Sequence, residues 1–287
     1  MKIAISGTTG FLGSKVANMF SLQGHEVFPL NRADFSEESD LLASKLDGAE
    51  VIIHLAGAPV IKRWTNQHRR DIWESRILTT RKLVDAMGRM EDSPRLFICA
   101  SAVGIYSDEG RHDEDSTFLS DGFLGRVCRD WEAEAAKAPE SCRTVMMRLG
   151  IILGKDGGAL KQMLPPFRLG LGGRIGTGRQ SMSWVHIEDV LGILQFLVGG
   201  NSLEGPVNVV SPEVVSNRTF TKVLAKTLGR PAIVPVPGFA LRLVFGGGAS
   251  TLTGGQHAIP ARLMESGYVF RFPVIKEALH NILKEGE

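Results

Sequence analysis

The chain has 287 residues, 33 of them Lys or Arg and 31 Asp or Glu, giving a formal net charge of +2. That length can bury one large core or two small ones, and the balanced charge offers no long-range field to draw nucleic acid or an anionic membrane. Cys99, Cys128 and Cys142 lack disulfide or zinc spacing, and the seven histidines form no H-x-H or H-x-x-x-H pair, so a disulfide scaffold is excluded and no metal site is expected.

Lys2 to Ser6 reads as a short buried strand, followed by the glycine turn GTTGFLG at 7–13. Leu12, Val16, Met19, Phe20 and Gln23 then fall at helical spacing until Gly24 ends the segment. Strands are predicted at 26–30, 51–55, 96–100, 144–149 and 206–210. Helical faces are carried by Leu41 to Leu46, by Thr80, Leu83, Val84 and Met87, by Phe123, Val127, Trp131 and Ala135, and by Val185 to Val198. Strands alternating with helices imply parallel pairing with right-handed crossovers. Residues 154–178 are rich in glycine and proline and are expected to form an irregular layer over the strand ends. The remainder, with Pro231 to Pro237 and Gly246 to Gly248, reads as an appended lobe. Apolar runs such as 239–245 are too short to span a bilayer, and Lys2 leads into a strand instead of a secretory leader, so a soluble cytoplasmic protein is expected.

A strand, three glycines and a helix are the context in which such a turn holds a dinucleotide pyrophosphate. Gly7 permits the tight turn, Gly10 the close approach of backbone to phosphate, and Gly13 the packing of helix on strand. Thr9, Phe11 and Leu12, between and beside them, are assigned to the same site. The end of the second strand carries Asn31-Arg32, with Asp34 two positions on, where an NAD site would carry a carboxylate for the ribose 2′-hydroxyl. A guanidinium fork suits a 2′-phosphate, so NADP(H) is favoured over NAD; a surface arginine paired with Asp34 is the alternative.

GTTGFLG, HLAGAP (54–59), ASAVGIY (100–106) and SWVHIEDV (183–190) together resemble the extended short-chain dehydrogenase/reductase superfamily. WESRILTTRKLVDAM, FLGRVCRDWEAEA, MRLGIILGKDGGAL, LPPFRLGLGG and GPVNVVSPE resemble its atypical "epimerase family" branch, of the kind called nucleoside-diphosphate-sugar epimerase-like. The resemblance spans nearly the whole chain. It implies an α/β fold, a Rossmann-type doubly wound parallel sheet with a smaller C-terminal substrate lobe. The core would comprise 1–154 and 184–210, and the lobe 155–183 and 211–287. By position it implies that Asn31 and Arg32 hold the 2′-phosphate and that Leu55, Ala56 and Gly57 line the adenine-ribose side. Asp71 and Arg76 would reach the cofactor from the next helix, Arg148 would sit near the nicotinamide, and the helices at 71–90 and 123–137 would form a homodimer surface.

Catalysis departs from the superfamily pattern. Its Tyr-x-x-x-Lys pair would fall at Leu124 and Cys128, its helper serine or threonine at Ala102, and its asparagine at Arg76. General acid–base help is worth about 10²–10⁴-fold in rate, so another donor is needed. Tyr106 is the candidate acid, with a packed aromatic as the equal alternative, and Ser101 is the candidate to polarise a carbonyl, with Arg76 or Arg148 on an oxyanion or substrate carboxylate. Cys128 reads as a buried small hydrophobe and His186 as structural, bonded to backbone or to Asp189. Arg168, Arg174 and Arg179 in the glycine-rich cover are either anion-binding or plain loop charge. The expectation is an NADP(H)-binding oxidoreductase or epimerase-like enzyme acting on an unknown small polar substrate. A non-catalytic NADP(H) sensor or scaffold is the rival, and an ordinary NAD-dependent epimerase a weaker third.

Overall fold

A computed structural model describes residues 1–285; the last two residues of the expected lobe, 286 and 287, lie outside the described residues. Six strands form one sheet: β1 (Lys2–Ser6), β2 (Glu26–Leu30), β3 (Val51–His54), β4 (Leu96–Ala102), β5 (Arg143–Leu149) and β6 (Gly205–Val209). Their order is β6-β5-β4-β3-β1-β2, and every pairing is parallel. The chain runs outward from β1 to β2, then returns to the other side of β1 for β3. In open α/β sheets such a reversal opens a crevice at the strand carboxyl ends.

Helices cover both faces. On one, α2 (Ser39–Leu46), α3 (Asn66–Met87) and α4 (Phe123–Ala135) bury Leu42, Ile77, Val127 and Trp131 against Ala4, Ile52, Phe97 and Met146. On the other, α1 (Phe11–Leu22) and α6 (Ile187–Val198) bury Val16, Phe20, Ile193 and Leu197 against Ile3, Ile53, Ile98 and Val207. The strands read as continuous apolar runs because both of their faces are covered.

A third apolar cluster gathers Leu160, Leu164 and Phe167 of α5 (Gly158–Arg168), Phe220 and Leu224 of α7 (Asn217–Leu228), and Leu279, Ile282 and Leu283 near the end of the chain. Here the structure departs from the irregular layer expected over 154–178. Leu160, Leu164 and Phe167 sit at i, i+4 and i+7, and that buried stripe sustains a helix despite Pro165 and Pro166 inside it. The expected helix start at Val185 also shifts: Trp184–His186 is a short strand parallel to Ile151–Leu153, and α6 begins at Ile187.

Candidate functional site

The glycine turn is a cradle with no room for side chains. Gly7 has a φ of +77°, and a Cβ on it would lie 2.9 Å from the Leu55 carbonyl carbon. A Cβ on Gly13 would lie 2.1 Å from the Gly7 carbonyl oxygen. The Gly10 N–H donates to that same oxygen at 2.9 Å, and Gly10 caps α1 without any side-chain bond. The first-turn amides therefore carry the helix's positive end toward the crevice with no side chain across it. Phe11, next in line, lies against Gly154, Gly157 and Gly158; a Cβ on Gly157 would come within 2.2 Å of its ring.

Beside the cradle, Ser6 and His54 fix the loop after β3. The Ser6 hydroxyl accepts from the backbone N–H groups of Leu55 (3.1 Å) and Ala56 (3.2 Å), so its own proton points at His54 Nδ1, 2.6 Å away. His54 Nε2 then carries the ring proton and donates to Thr79 Oγ1 at 3.2 Å, while Thr79 donates to the Ser75 carbonyl. Complete burial and the Arg76 charge hold the imidazole neutral, with its pKa pulled down to about 3. Residues 6 and 54 are remote in sequence; the one local signal was a hydroxyl at the end of the first strand.

At the end of β2, Asp34 is buried and bound by Lys45 and by the Asn31 N–H. Arg32 is exposed, and among the described residues no carboxylate pairs with it. Asp71 is half-exposed in the second turn of α3 and accepts from Gln67 at 2.8 Å. Arg76 lies deeper. It donates to the carbonyls of Ile72 and Ala58, both at 3.1 Å, and its guanidinium lies 5.2 Å from the Trp131 ring. Gly57 leaves room for it, since a Cβ there would meet Arg76 Cζ at 2.9 Å.

Ser101, Arg148 and Asn208 stand side by side at one level of β4, β5 and β6. Glu132 of α4 accepts from Ser101 Oγ at 2.6 Å, from Arg148 Nε at 2.9 Å and from Arg148 Nη2 at 2.7 Å. Arg148 Nη1 donates to the Tyr106 hydroxyl at 2.7 Å, which donates to Asn208 Oδ1 at 2.8 Å. Glu114 closes the set, accepting from the Asn208 N–H at 2.9 Å. Burial works against the Arg148 charge, and Glu132 more than offsets it, so the guanidinium stays protonated. Tyr106 is fully buried, with its ring stacked 4.9 Å from His112 and its hydroxyl pushed above the usual phenol range, mainly by burial. The two expected catalytic groups and Arg148 are thus brought together, yet both hydroxyls and the guanidinium are committed to protein partners. Glu132, Glu114 and Asn208 were missed in the sequence; nothing near Glu132 announces an arginine sixteen residues away.

Cys128, standing where the superfamily lysine would be, is buried and its thiol is pushed up to about 12. His186 caps α6 by accepting from the Glu188 N–H at 3.1 Å, not by bonding Asp189. Asp189 instead accepts from the backbone of Arg271 (2.7 Å) and Phe272 (3.0 Å), tying α6 to the last segment of the chain. Arg168 and Arg174 line clefts walled by residues from the segments 155–183 and 211–287.

Comparison with known proteins places this arrangement. Residues 3–209 match the NAD dependent epimerase/dehydratase family, and residues 236–282 match a domain of unknown function, DUF1731. The mouse epimerase family protein SDR39U1 is 37% identical, over 99% of this chain and 100% of its own. The Bacillus subtilis epimerase family protein YfhF is 34% identical, over 99% of both. A crystal structure of human SDR39U1 (isoform 2) with NADPH superposes with a TM-score of 0.91 at 34% identity, covering 98% of this chain and 99% of that one. With the glycine cradle, the parallel sheet and the polar row at its carboxyl end, the chain belongs to the NAD dependent epimerase/dehydratase family.

Proposed function

We propose that this protein binds NADP(H) across the carboxyl ends of β1 and β3 and acts as an oxidoreductase or epimerase-like enzyme on a small polar substrate held between core and lobe. The observation that carries the reading is the cradle: a Gly7–Gly13 contact that admits no Cβ, facing an α1 N-terminus with no side-chain cap. A pyrophosphate there would meet free amides and the helix dipole. Arg32, without a carboxylate partner among the described residues, would take the 2′-phosphate, with Asn31 beside it, and Leu55, Ala56 and Gly57 would wall the adenine-ribose side. The human relative's NADPH supports the choice of cofactor. When bound, the nicotinamide supplies a hydride donor or acceptor. Arg76, held by carbonyls and by Trp131, would face the cofactor as the site's cation. The core would be 1–154 with 184–210, and α3 and α4 would supply a homodimer surface, checked by analytical ultracentrifugation.

Tyr106 and Ser101 we assign to the floor of the site, in place of the proton-delivery role, because their hydroxyls are already spent on Asn208 and Glu132. The same observation favours a second reading, a cofactor-responsive protein without turnover, in which NADP(H) occupancy stabilises the fold by mass action.

Titration with NADPH and NADH, followed by nicotinamide fluorescence on the wild type and Arg32→Ala, tests the cofactor reading. A preference for NADPH that the variant loses supports it, and equal affinity for both dinucleotides overturns the role of Arg32. A carbonyl-substrate screen of the wild type separates the two readings, since any turnover overturns the second, and Tyr106→Phe then tests the assignment to the floor. Turnover retained in the variant places Tyr106 in the floor, whereas a loss of about 10²–10⁴-fold in kcat in folded protein restores it as the acid.

A further inference from the structure

The near-neutral total conceals a strong separation of charge. Segments 157–187 and 214–264 hold ten of the 33 basic residues and none of the 31 acidic ones, leaving 23 basic against 31 acidic in the rest of the chain. Of these ten, only Arg262 has a carboxylate partner among the described residues. Arg174 and Arg218 spend donors on the carbonyls of Gly176 and Thr177. The same segments carry eight of the 14 exposed large apolar side chains among the described residues, including Ile233 at 80%, Leu169 at 74%, Leu243 at 71% and Phe239 at 69% exposed.

The two features interleave. Val236 N–H donates to the Arg174 carbonyl and Gly176 N–H to the Val236 carbonyl, both at 2.9 Å, so the stretch with Leu169 and Leu171 is joined to the stretch with Ile233 and Val234. A cleft of about 290 Å³ is lined by Arg174, Arg218, Lys222 and Ile233, and one of about 260 Å³ by Arg168, Arg230 and Lys284. The chain continues directly into α8 (Gly238–Phe245), an apolar helix with no buried residue and with Arg242 as its one charge. The Arg63 guanidinium donates to the Leu243 carbonyl and the Trp64 N–H to the Phe245 carbonyl, holding α8 while Phe239, Leu243 and Val244 stay exposed.

We infer that this basic face of the lobe docks on an anionic lipid surface, its cations meeting headgroup phosphates and Leu169, Ile233 and α8 entering the headgroup boundary. Unpaired cations interleaved with projecting aliphatic groups match such a boundary in charge and in polarity. A second copy would bring the same cations into opposition. A nucleic acid would leave the aliphatic groups without a partner, and of the four apolar groups named above only Phe239 offers a ring for bases to stack on. Among the described residues no helix is long and apolar enough to cross a membrane, so the docking is peripheral.

The test is flotation of the full chain with phosphatidylglycerol–phosphatidylcholine vesicles and with phosphatidylcholine alone, at about 0.05 M and about 0.5 M salt. Two variants accompany it, Arg218→Glu/Lys222→Glu/Arg230→Glu and Leu169→Ser/Ile233→Ser, with thermal melting and NADPH titration as folding controls. The expected result is binding to the anionic vesicles only, weakened by salt, and reduced roughly 100-fold by the charge reversals. The serine variant should lose roughly tenfold and keep its NADPH affinity. Equal flotation with both vesicle types, no flotation with either, tighter binding to a DNA or RNA oligomer that the reversals abolish, or self-association that the reversals abolish would each overturn the proposal.

Discussion

Glu132 is the point at which the buried polar row is most easily tested. Its carboxylate side chain is 11% exposed and that of Arg148 8%, and three donor bonds converge on it. Glu132→Ala removes the anion and leaves the guanidinium in place, bonded to Tyr106 and the Glu114 carbonyl. Breaking a buried pair from one side costs about 3–5 kcal/mol, because the surviving charge stays desolvated. Total stability of a domain is about 5–15 kcal/mol, so the variant should lose a fifth or more of its margin. Removing the cation as well, in Glu132→Leu/Arg148→Met, takes the stranded charge away; the double variant should be more stable than Glu132→Ala by at least about 1 kcal/mol. Urea unfolding followed by tryptophan fluorescence, with Glu132→Leu and Arg148→Met as the single variants that complete the cycle, gives the free energies. A single-variant cost under about 1 kcal/mol, or strictly additive costs, would refute the claim that these residues act as one unit.

Burial holds His54 at about 3 and His186 at about 4, whereas unfolded imidazoles titrate near about 6.5, so the unfolded chain takes up protons first as the pH falls. Their contribution is complete above about pH 6.5 and drains away toward pH 4 for His186 and pH 3 for His54, His54 alone costing about 2 kcal/mol by pH 5. Glu114 and Asp189, both raised by burial, act in the opposite sense. Urea midpoints at pH 7.5 and 5 for the wild type and His54→Gln decide it, and an equal pH dependence in both would rule the His54 effect out. Gly13→Ala places a Cβ 2.1 Å from the Gly7 oxygen, so the turn must open; NADPH affinity should fall at least about tenfold in protein that still melts cooperatively. Asp189→Ala strands the N–H groups of Arg271 and Phe272 and should cost about 2–3 kcal/mol, seen as earlier proteolytic cleavage near the C-terminus.

What the sequence revealed follows how local each signal is. The cradle was legible because its chemistry lies within seven residues, and the strands were legible because burial on both faces makes them apolar runs. The helix α5 was hidden by its glycines and prolines, whose composition outweighed a three-residue buried stripe. The Glu132–Arg148–Tyr106–Asn208 set was illegible because its members are brought together only by the parallel register of three strands and the packing of α4. Tyr106 was found as a polar group at the right strand end, but whether its hydroxyl faced the crevice or Asn208 depends on a residue 102 positions away. The charged face of the lobe was missed for a different reason: a total averages over a surface that the fold divides.

The level row of Ser101, Arg148 and Asn208 also bears on how the sheet assembles. Neighbouring apolar residues in β4, β5 and β6 are nearly interchangeable, so hydrophobicity alone discriminates weakly between alternative alignments of these strands. A one-residue slip of any of them turns its polar member onto the opposite face, among Val16, Ile193 and Leu197, where no Glu132 waits. Each misalignment buries a hydroxyl, an amide or a full charge without a partner. The row therefore acts as a proofreading key for strand pairing: it penalises wrong registers more than it favours the right one.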